Sequence, residues 1–247
     1  MLIGIPKEIK PDEYRVGLTP ESVLTLVNGG HQVMVLTNAG LGIGKGDQDY
    51  LKVGAEIVAT RDEIFEQAEM IIKVKEPQLD ECALLRQGQI LFTYLHLAPD
   101  PEQTNALVNS GVSAIAYESV MAEDKSYPLL IPMSAIAGRM AVQAGASCLE
   151  KAKGGSGILM GGVTNVDPAK VTIIGGGVVG YNAIEIALGM QANVTVLDKS
   201  AARLDYLETV FGDDLNAVFS DSESNETFIT AADLVIGAVL VPGASAP

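Results

Sequence analysis

Four residues in the last third of the chain have the types and spacing to hold a nucleotide. Residues 171–198 read VTIIGGGVVGYNAIEIALGMQANVTVLD. An apolar, β-branched run enters Gly175-x-Gly177-x-x-Gly180; a helical pattern follows, and a second apolar run ends in Asp198. In that setting the glycines allow a tight turn, a close backbone approach to a pyrophosphate, and contact between helix and strand. The pyrophosphate would rest on the amide-rich N-terminus of the helix. A carboxylate at Asp198 can accept from both ribose hydroxyls and would repel a 2′-phosphate. The spacing therefore points to NAD rather than NADP.

Three more residues have chemistry to offer in the first half. Arg15 lies in the loop KEIKPDEYRVGLTP, Lys75 closes MIIKVK just before Glu76-Pro77, and His96 follows QILFTYL. Each comes after an apolar run, where open α/β sheets bind their ligands. A guanidinium grips a small carboxylic acid through two parallel hydrogen bonds. An ammonium polarises a carbonyl or holds the other carboxylate oxygen. An imidazole carries a proton near neutral pH. Together they would serve hydride chemistry on a 2-oxo or 2-amino acid. Taken singly, each has an ordinary structural use: a loop ion pair, a solvated strand end, a hydrogen-bonded histidine. A period of two places Lys73 on the same strand face as Lys75 and makes it a competitor. His31, between a glycine pair and a strand, reads as structural.

The elements that must position these groups alternate along the chain. Apolar runs at 2–5, 32–37, 70–75, 89–95 and 112–117 read as strands, separated by helical patterns. Thr19-Pro20, Thr60-x-x-Glu63 and Asp100-Pro-Glu-Gln103 read as helix starts. A long helix is expected from an N-cap at Ser134, followed by the glycine-rich stretch GGSGILMGGVTNVDP. Those glycines are irregularly spaced and follow a helix, so the stretch reads as a linker rather than a second nucleotide loop. Strands at 171–174, 193–197, 216–219 and 234–239 then alternate with helices near 179–190, 200–211 and 223–232. The expected architecture is α/β: two Rossmann-like domains with mostly parallel sheets, 1–130 for substrate and catalysis and 131–247 for NAD. In the usual strand order, 3-2-1-4-5-6, the run 234–239 would be left at an apolar edge. The expectation is of a second domain incomplete at its C-terminal end.

Bulk properties narrow the function classes. The chain has 247 residues, 48% of them hydrophobic but only 5% aromatic, so a core of aliphatic side chains is expected. A formal net charge of −15 argues against nucleic acid and anionic membrane as partners. Cys82 and Cys148 fit no metal spacing; no metal is expected, and the pair reads as reduced thiols of a cytoplasmic protein. No apolar run is long enough for a membrane span, and no signal peptide is evident.

The stretches MLIGIPKEIKPDEYRVGLTPESV, IIKVKEPQ, GQILFTYLHLAPD, AIAYESV and VTIIGGGVVGYNAIEIALGM closely resemble the NAD-dependent alanine dehydrogenases, along essentially the whole chain. The pairing of KVKEP with YLHLA is more specific than the glycine fingerprint. The α subunit of proton-translocating nicotinamide nucleotide transhydrogenase is similar in both domains. The histidine of YLHLA favours the dehydrogenase; a non-catalytic NAD-binding protein is the remaining alternative. The resemblance implies that Arg15 and Lys75 hold pyruvate or alanine and that His96 is catalytic, with Lys75 beside it. It implies cofactor contacts at Ser134, Val179, Arg203, Ser220, Val239 and Leu240, in addition to the glycines and Asp198. The implied reaction is reversible oxidative deamination of L-alanine to pyruvate and ammonia, in a homohexamer. One local departure is GLGIGKGDQDY, where Lys45 stands in place of an apolar residue. Similar proteins continue for roughly a hundred residues more, and that part carries a catalytic aspartate and nicotinamide contacts.

Overall fold

The computed structural model describes residues 1–239. The chain divides into two compact units, one spanning Met1–Leu129 and one beginning at Leu130. The first holds a six-stranded sheet of β1 (Leu2–Ile5), β2 (Gln32–Leu36), β3 (Glu56–Val58), β4 (Met70–Ile72), β5 (Ile90–Thr93) and β6 (Ser113–Ala116). Every pairing is parallel, and the order is β3-β2-β1-β4-β5-β6. The helices between them are α1 (Pro20–Asn28), α2 (Asp47–Leu51), α3 (Arg61–Gln67), α4 (Leu79–Cys82) and α5 (Pro101–Ser110). Strands buried on both faces read as near-continuous apolar runs, which is why most of them are visible in the sequence. Two aliphatic cores result, one around Ile64, Phe65, Ile71 and Leu91, the other around Ile5, Val23, Val35 and Tyr50.

The helix starts follow their capping chemistry. The hydroxyls of Thr19 and Thr60 accept from the amides of Ser22 and Glu63, and Asp100 accepts from the amide of Gln103. Pro20 and Pro101 open α1 and α5, where a missing N–H costs nothing. Lys45, the residue that departs from the resemblance, lies 3.4 Å from Glu21 in an exposed ion pair.

The second unit holds α6 (Ile131–Leu149), β7 (Lys170–Ile174), α7 (Val178–Gly189), β8 (Asn193–Asp198), α8 (Ala201–Phe211), β9 (Leu215–Phe219), α9 (Ser222–Ala231) and β10 (Leu234–Gly237). Its four strands are parallel in the order β10-β7-β8-β9. The core joins Val142 of α6, Ile184 and Ala187 of α7, Leu207 of α8, and Ile173 and Val196 of the sheet. Gly138 and Gly145 let α6 lie close to its neighbours: a Cβ on either would overlap α7 or Leu234.

Three expectations are corrected. The run 70–75 is a strand only as far as Ile72, because the Glu8 carboxylate takes the Val74 amide at 2.6 Å and the Lys75 amide at 3.4 Å. The period-two argument linking Lys73 to Lys75 therefore does not apply. The long helix starts at Ile131, not after a cap at Ser134; Pro132 lies in its first turn, and the Ser134 amide donates to the carbonyl of Leu130. The three-residue strand β3 is too short to register as a run. The glycine-rich stretch after α6 is a connection inside the second unit. Among the described residues no helix is long and apolar enough to cross a membrane.

Candidate functional site

In the first unit, the sheet order brings the predicted chemistry to one edge. The order reverses between β1 and β4, and a crevice opens at the carboxyl ends of strands at such a switch point. Arg15 lies in the loop after β1, Lys75 in the loop after β4 and His96 in the loop after β5, three adjacent strands. Lys75 and His96 line one cleft of about 440 Å³ with Lys10, Glu76, Pro99, Asp100 and Gln103.

His96 is held in an unusual backbone conformation, with φ +48°. The left-handed region is uncommon for a residue with a side chain and is sustained only by its surroundings. Here the Glu118 carboxylate, in the 3-10 turn Tyr117–Ser119 after β6, accepts from the amides of both Leu95 (3.0 Å) and His96 (2.8 Å). Below the ring, Tyr94 stands 6.1 Å from His96, edge-on to Tyr117 at 5.0 Å, and Tyr117 is edge-on to Phe92 at 4.4 Å. Burial pushes both tyrosine hydroxyls above their usual range. Burial holds the His96 imidazole below 6.5; Glu118 pulls the other way, and Lys75 and Lys10 add to the lowering.

Arg15 is not among the residues lining that cleft. Its guanidinium makes a forked pair with Glu13, Nε to Oε1 at 2.8 Å and Nη2 to Oε2 at 2.6 Å. That bond lowers the Glu13 carboxyl and raises the guanidinium, and the charge of Lys75 also reaches Glu13. Lys73 has a different fate. It is fully buried, with Nζ 2.9 Å from Glu81 and 3.1 Å from Glu8. An ammonium enclosed by two carboxylates is not available to a ligand. Glu8 in turn holds the amides of Val74 and Lys75, so this cluster sets the backbone from which Lys75 projects.

In the second unit, the three glycines of the fingerprint do three different things. Gly175 has φ +97°, which only glycine adopts without strain. A Cβ on Gly180 would overlap the Gly175 carbonyl, so this glycine brings helix against strand. A Cβ on Gly177 would meet nothing within 4 Å; it faces open space at the N-terminus of α7. That is a cradle of the kind a pyrophosphate fills. Asp198 ends β8, with Oδ2 accepting from the Gly176 amide at 2.7 Å and Oδ1 from the Ser200 amide at 2.8 Å. Its carboxylate is thereby aimed along the same edge as the glycine turn. Arg203 donates from Nε to the Gly176 carbonyl, and its guanidinium lies over the rings of Tyr206 (4.7 Å) and Tyr181 (5.8 Å).

The remaining predicted positions lie in different elements of the second unit; one falls outside the described residues. Val179 is in the first turn of α7. Ser220 follows β9, buried, with its amide donating to the Asp198 carbonyl and its hydroxyl 3.0 Å from Asn225. Val239 follows β10 and would lie 2.9 Å from a Cβ on Gly175. Ser134 is half-buried in the first turn of α6. Leu240 lies outside the described residues. The sequence reading singled out none of Glu8, Lys10, Glu13, Tyr94, Gln103 and Glu118 as site residues, and gave Glu76 no role. The available signal was that Glu8, Glu76 and Glu118 also follow strand ends, at β1, β4 and β6.

These two constellations define an α/β protein with two parallel sheets, one carrying a glycine turn of the dinucleotide-binding type and the other a polar cleft. Comparison with known proteins places it. Residues 4–137 match the model for the N-terminal domain of the alanine dehydrogenase/PNT family, and residues 141–247 match that for its C-terminal domain. The chain belongs to this family. It is 53% identical over 247 residues to an alanine dehydrogenase of Methanococcus maripaludis, covering all of this chain and 66% of that one. A solved L-alanine dehydrogenase superposes with a TM-score of 0.91 at 52% identity, over 100% of this chain and 68% of the other. A transhydrogenase from Sinorhizobium meliloti gives 0.79 at 28% identity, over 100% and 72%. The chain thus spans about two thirds of the length of the relatives it matches.

Proposed function

We propose that this chain carries the substrate-binding and much of the cofactor-binding apparatus of an NAD-dependent alanine dehydrogenase. The observation that carries the reading is the convergence of Lys75 and His96 on one cleft at the sheet's switch point, in a chain of this family. On binding, Arg15 exchanges its forked pair with Glu13 for the carboxylate of alanine or pyruvate, and Lys75 holds the second carboxylate oxygen or polarises the carbonyl. His96, neutral at pH 7, takes or returns the proton at the substrate nitrogen or oxygen. On the second unit, the α7 N-terminus receives the pyrophosphate at Gly177, and Asp198 receives the adenosine ribose. Ser134, Gly175, Val179, Gly180, Arg203, Ser220, Val239 and Leu240 complete that site. NAD, when bound, supplies the acceptor for the hydride that leaves Cα of alanine. Water then replaces nitrogen, and pyruvate and ammonia are released. Family membership also supports a homohexamer and a cytoplasmic location.

The test is alanine-dependent reduction of NAD together with calorimetric titration of NAD and pyruvate. In a protein extended by the C-terminal third that its relatives carry, the reading expects alanine to drive NADH formation and His96→Ala to abolish it while pyruvate and NAD still bind; residues 1–247 alone are expected to turn over alanine little or not at all. Nucleotide binding without alanine turnover in the extended protein would overturn it. The transhydrogenase likeness favours a second reading, hydride transfer between two nucleotides, which would proceed without alanine.

A further inference from the structure

We propose that Glu76 is a positioning residue for His96: its buried carboxylate oxygen accepts a hydrogen bond from the Nδ1–H of the imidazole and leaves Nε2 as the free, proton-accepting nitrogen. Glu76 is only 8% exposed. One of its oxygens is paired with Lys10. The other, Oε2, is fully enclosed and has no hydrogen-bond partner among the described residues. A buried acceptor left unpaired is costly and calls for an explanation. The atom that stands before it is Nδ1 of His96, at 3.4 Å. The separation is long for a hydrogen bond, and a small turn of the ring closes it.

The surroundings fix everything except that turn. Glu118 holds the His96 backbone from the β6 side through two amides, and Tyr94 stands beside the ring. The charged groups facing the imidazole are Glu76 and Lys75 after β4, Lys10 after β1, and Glu118 after β6; Asp100 and Gln103 of the α5 start line the same cleft. The partner of one ring nitrogen decides which tautomer the other presents. Glu76 can do this without fully charging the ring, because Lys10, paired with its other oxygen, offsets part of its charge. The carboxylate orients the imidazole, and the lysine keeps that orientation from becoming a full ion pair.

The proposal rests on the reading of His96 as the proton carrier, but its test does not. The chain has two histidines, His31 and His96, so a nitrogen-15 spectrum of the imidazoles contains two patterns. His31 reports whether a variant is folded. In the native chain His96 is expected with Nδ1 protonated and Nε2 bare. In Glu76→Leu that preference is lost. In Glu76→Gln the amide oxygen still accepts, so the tautomer survives, while loss of the negative charge lowers the titration of His96 by about one pH unit. An unchanged tautomer in Glu76→Leu, or an unchanged titration in Glu76→Gln, overturns the assignment. Alanine turnover is measured separately, in the extended protein. The expected spectra without turnover would remove the catalytic role of His96 and leave Glu76 as its orienter. Turnover with unaltered spectra would remove Glu76 and leave the function.

Discussion

Arg15 offers a carboxylate something no lysine can, a planar fork, seen here in its two-point pair with Glu13. The substitution Arg15→Lys keeps the charge and loses the geometry. Losing one of two charge-assisted hydrogen bonds should weaken pyruvate binding by about 10- to 100-fold; calorimetric titration reads this directly, and an unchanged affinity would remove Arg15 from the site. His96 carries a pH dependence whose sign follows from its lowered pKa. The folded state favours the neutral ring, chiefly through burial. Its contribution to stability is complete above 6.5 and is lost as pH falls through the lowered value. The proton-accepting form fades over the same range, so kcat/KM should fall in acid. Lys10→Met deletes one of the charges that lower it and unmasks Glu76, so the acid limb should move to higher pH by about half a unit. At this scale the sequence was partly legible. Types and strand-end placement select Arg15, Lys75 and His96. They do not separate Lys75 from Lys73, because that depends on Glu8 and Glu81, and Glu8 lies 65 residues from Lys73 in the chain. The partners were harder to read: strand-end placement marks Glu76 and Glu118, but a carboxylate's role, like that of Glu13, is set by what the topology places opposite it.

The turn from β7 into α7 separates a glycine that packing requires from one that packing leaves open. A Cβ on Gly180 would strike the Gly175 carbonyl, and backbone cannot yield as a flexible side chain can. Gly180→Ala should cost about 1–3 kcal/mol or more of stability. Gly177 has an extended backbone with φ −64° and open space where a Cβ would go. Gly177→Ala should therefore melt like the native chain and yet lose NAD affinity by at least about tenfold, since the methyl occupies the pyrophosphate's approach. Equal melting losses in both variants would show that the turn serves packing alone. The turn and its flanking strands were legible because their pattern is local: β-branched runs, glycines at fixed offsets, an acid at the second strand's end. Element ends were less so. Strand β4 gives way after Ile72, where a distant carboxylate captures the amides of Val74 and Lys75, and α6 begins before Ser134 because Pro132 serves as well in the first turn of a helix as beyond its start.

On the scale of the whole molecule, two units with separate cores imply two unfolding events. The first unit owns the buried Glu8–Lys73–Glu81 cluster; the second owns the glycine turn. The net charge of −15 repels anionic ligands at long range, so the proposed binding of pyruvate and NAD would have to come from local features: a guanidinium, an ammonium, a helix N-terminus. Each of these lies in one unit and should report on that unit. Lys73→Met leaves two buried carboxylates without their cation, a loss of about 3–5 kcal/mol. In scanning calorimetry this should lower the transition of the first unit and leave that of the second in place. NAD at a hundredfold excess over its dissociation constant should stabilise the second by about 2.7 kcal/mol. The double experiment, the variant with NAD, should then move the two transitions apart. A single transition that moves as a whole under both treatments would show that the units unfold together, and the assignment of each ligand to one unit would lose its support.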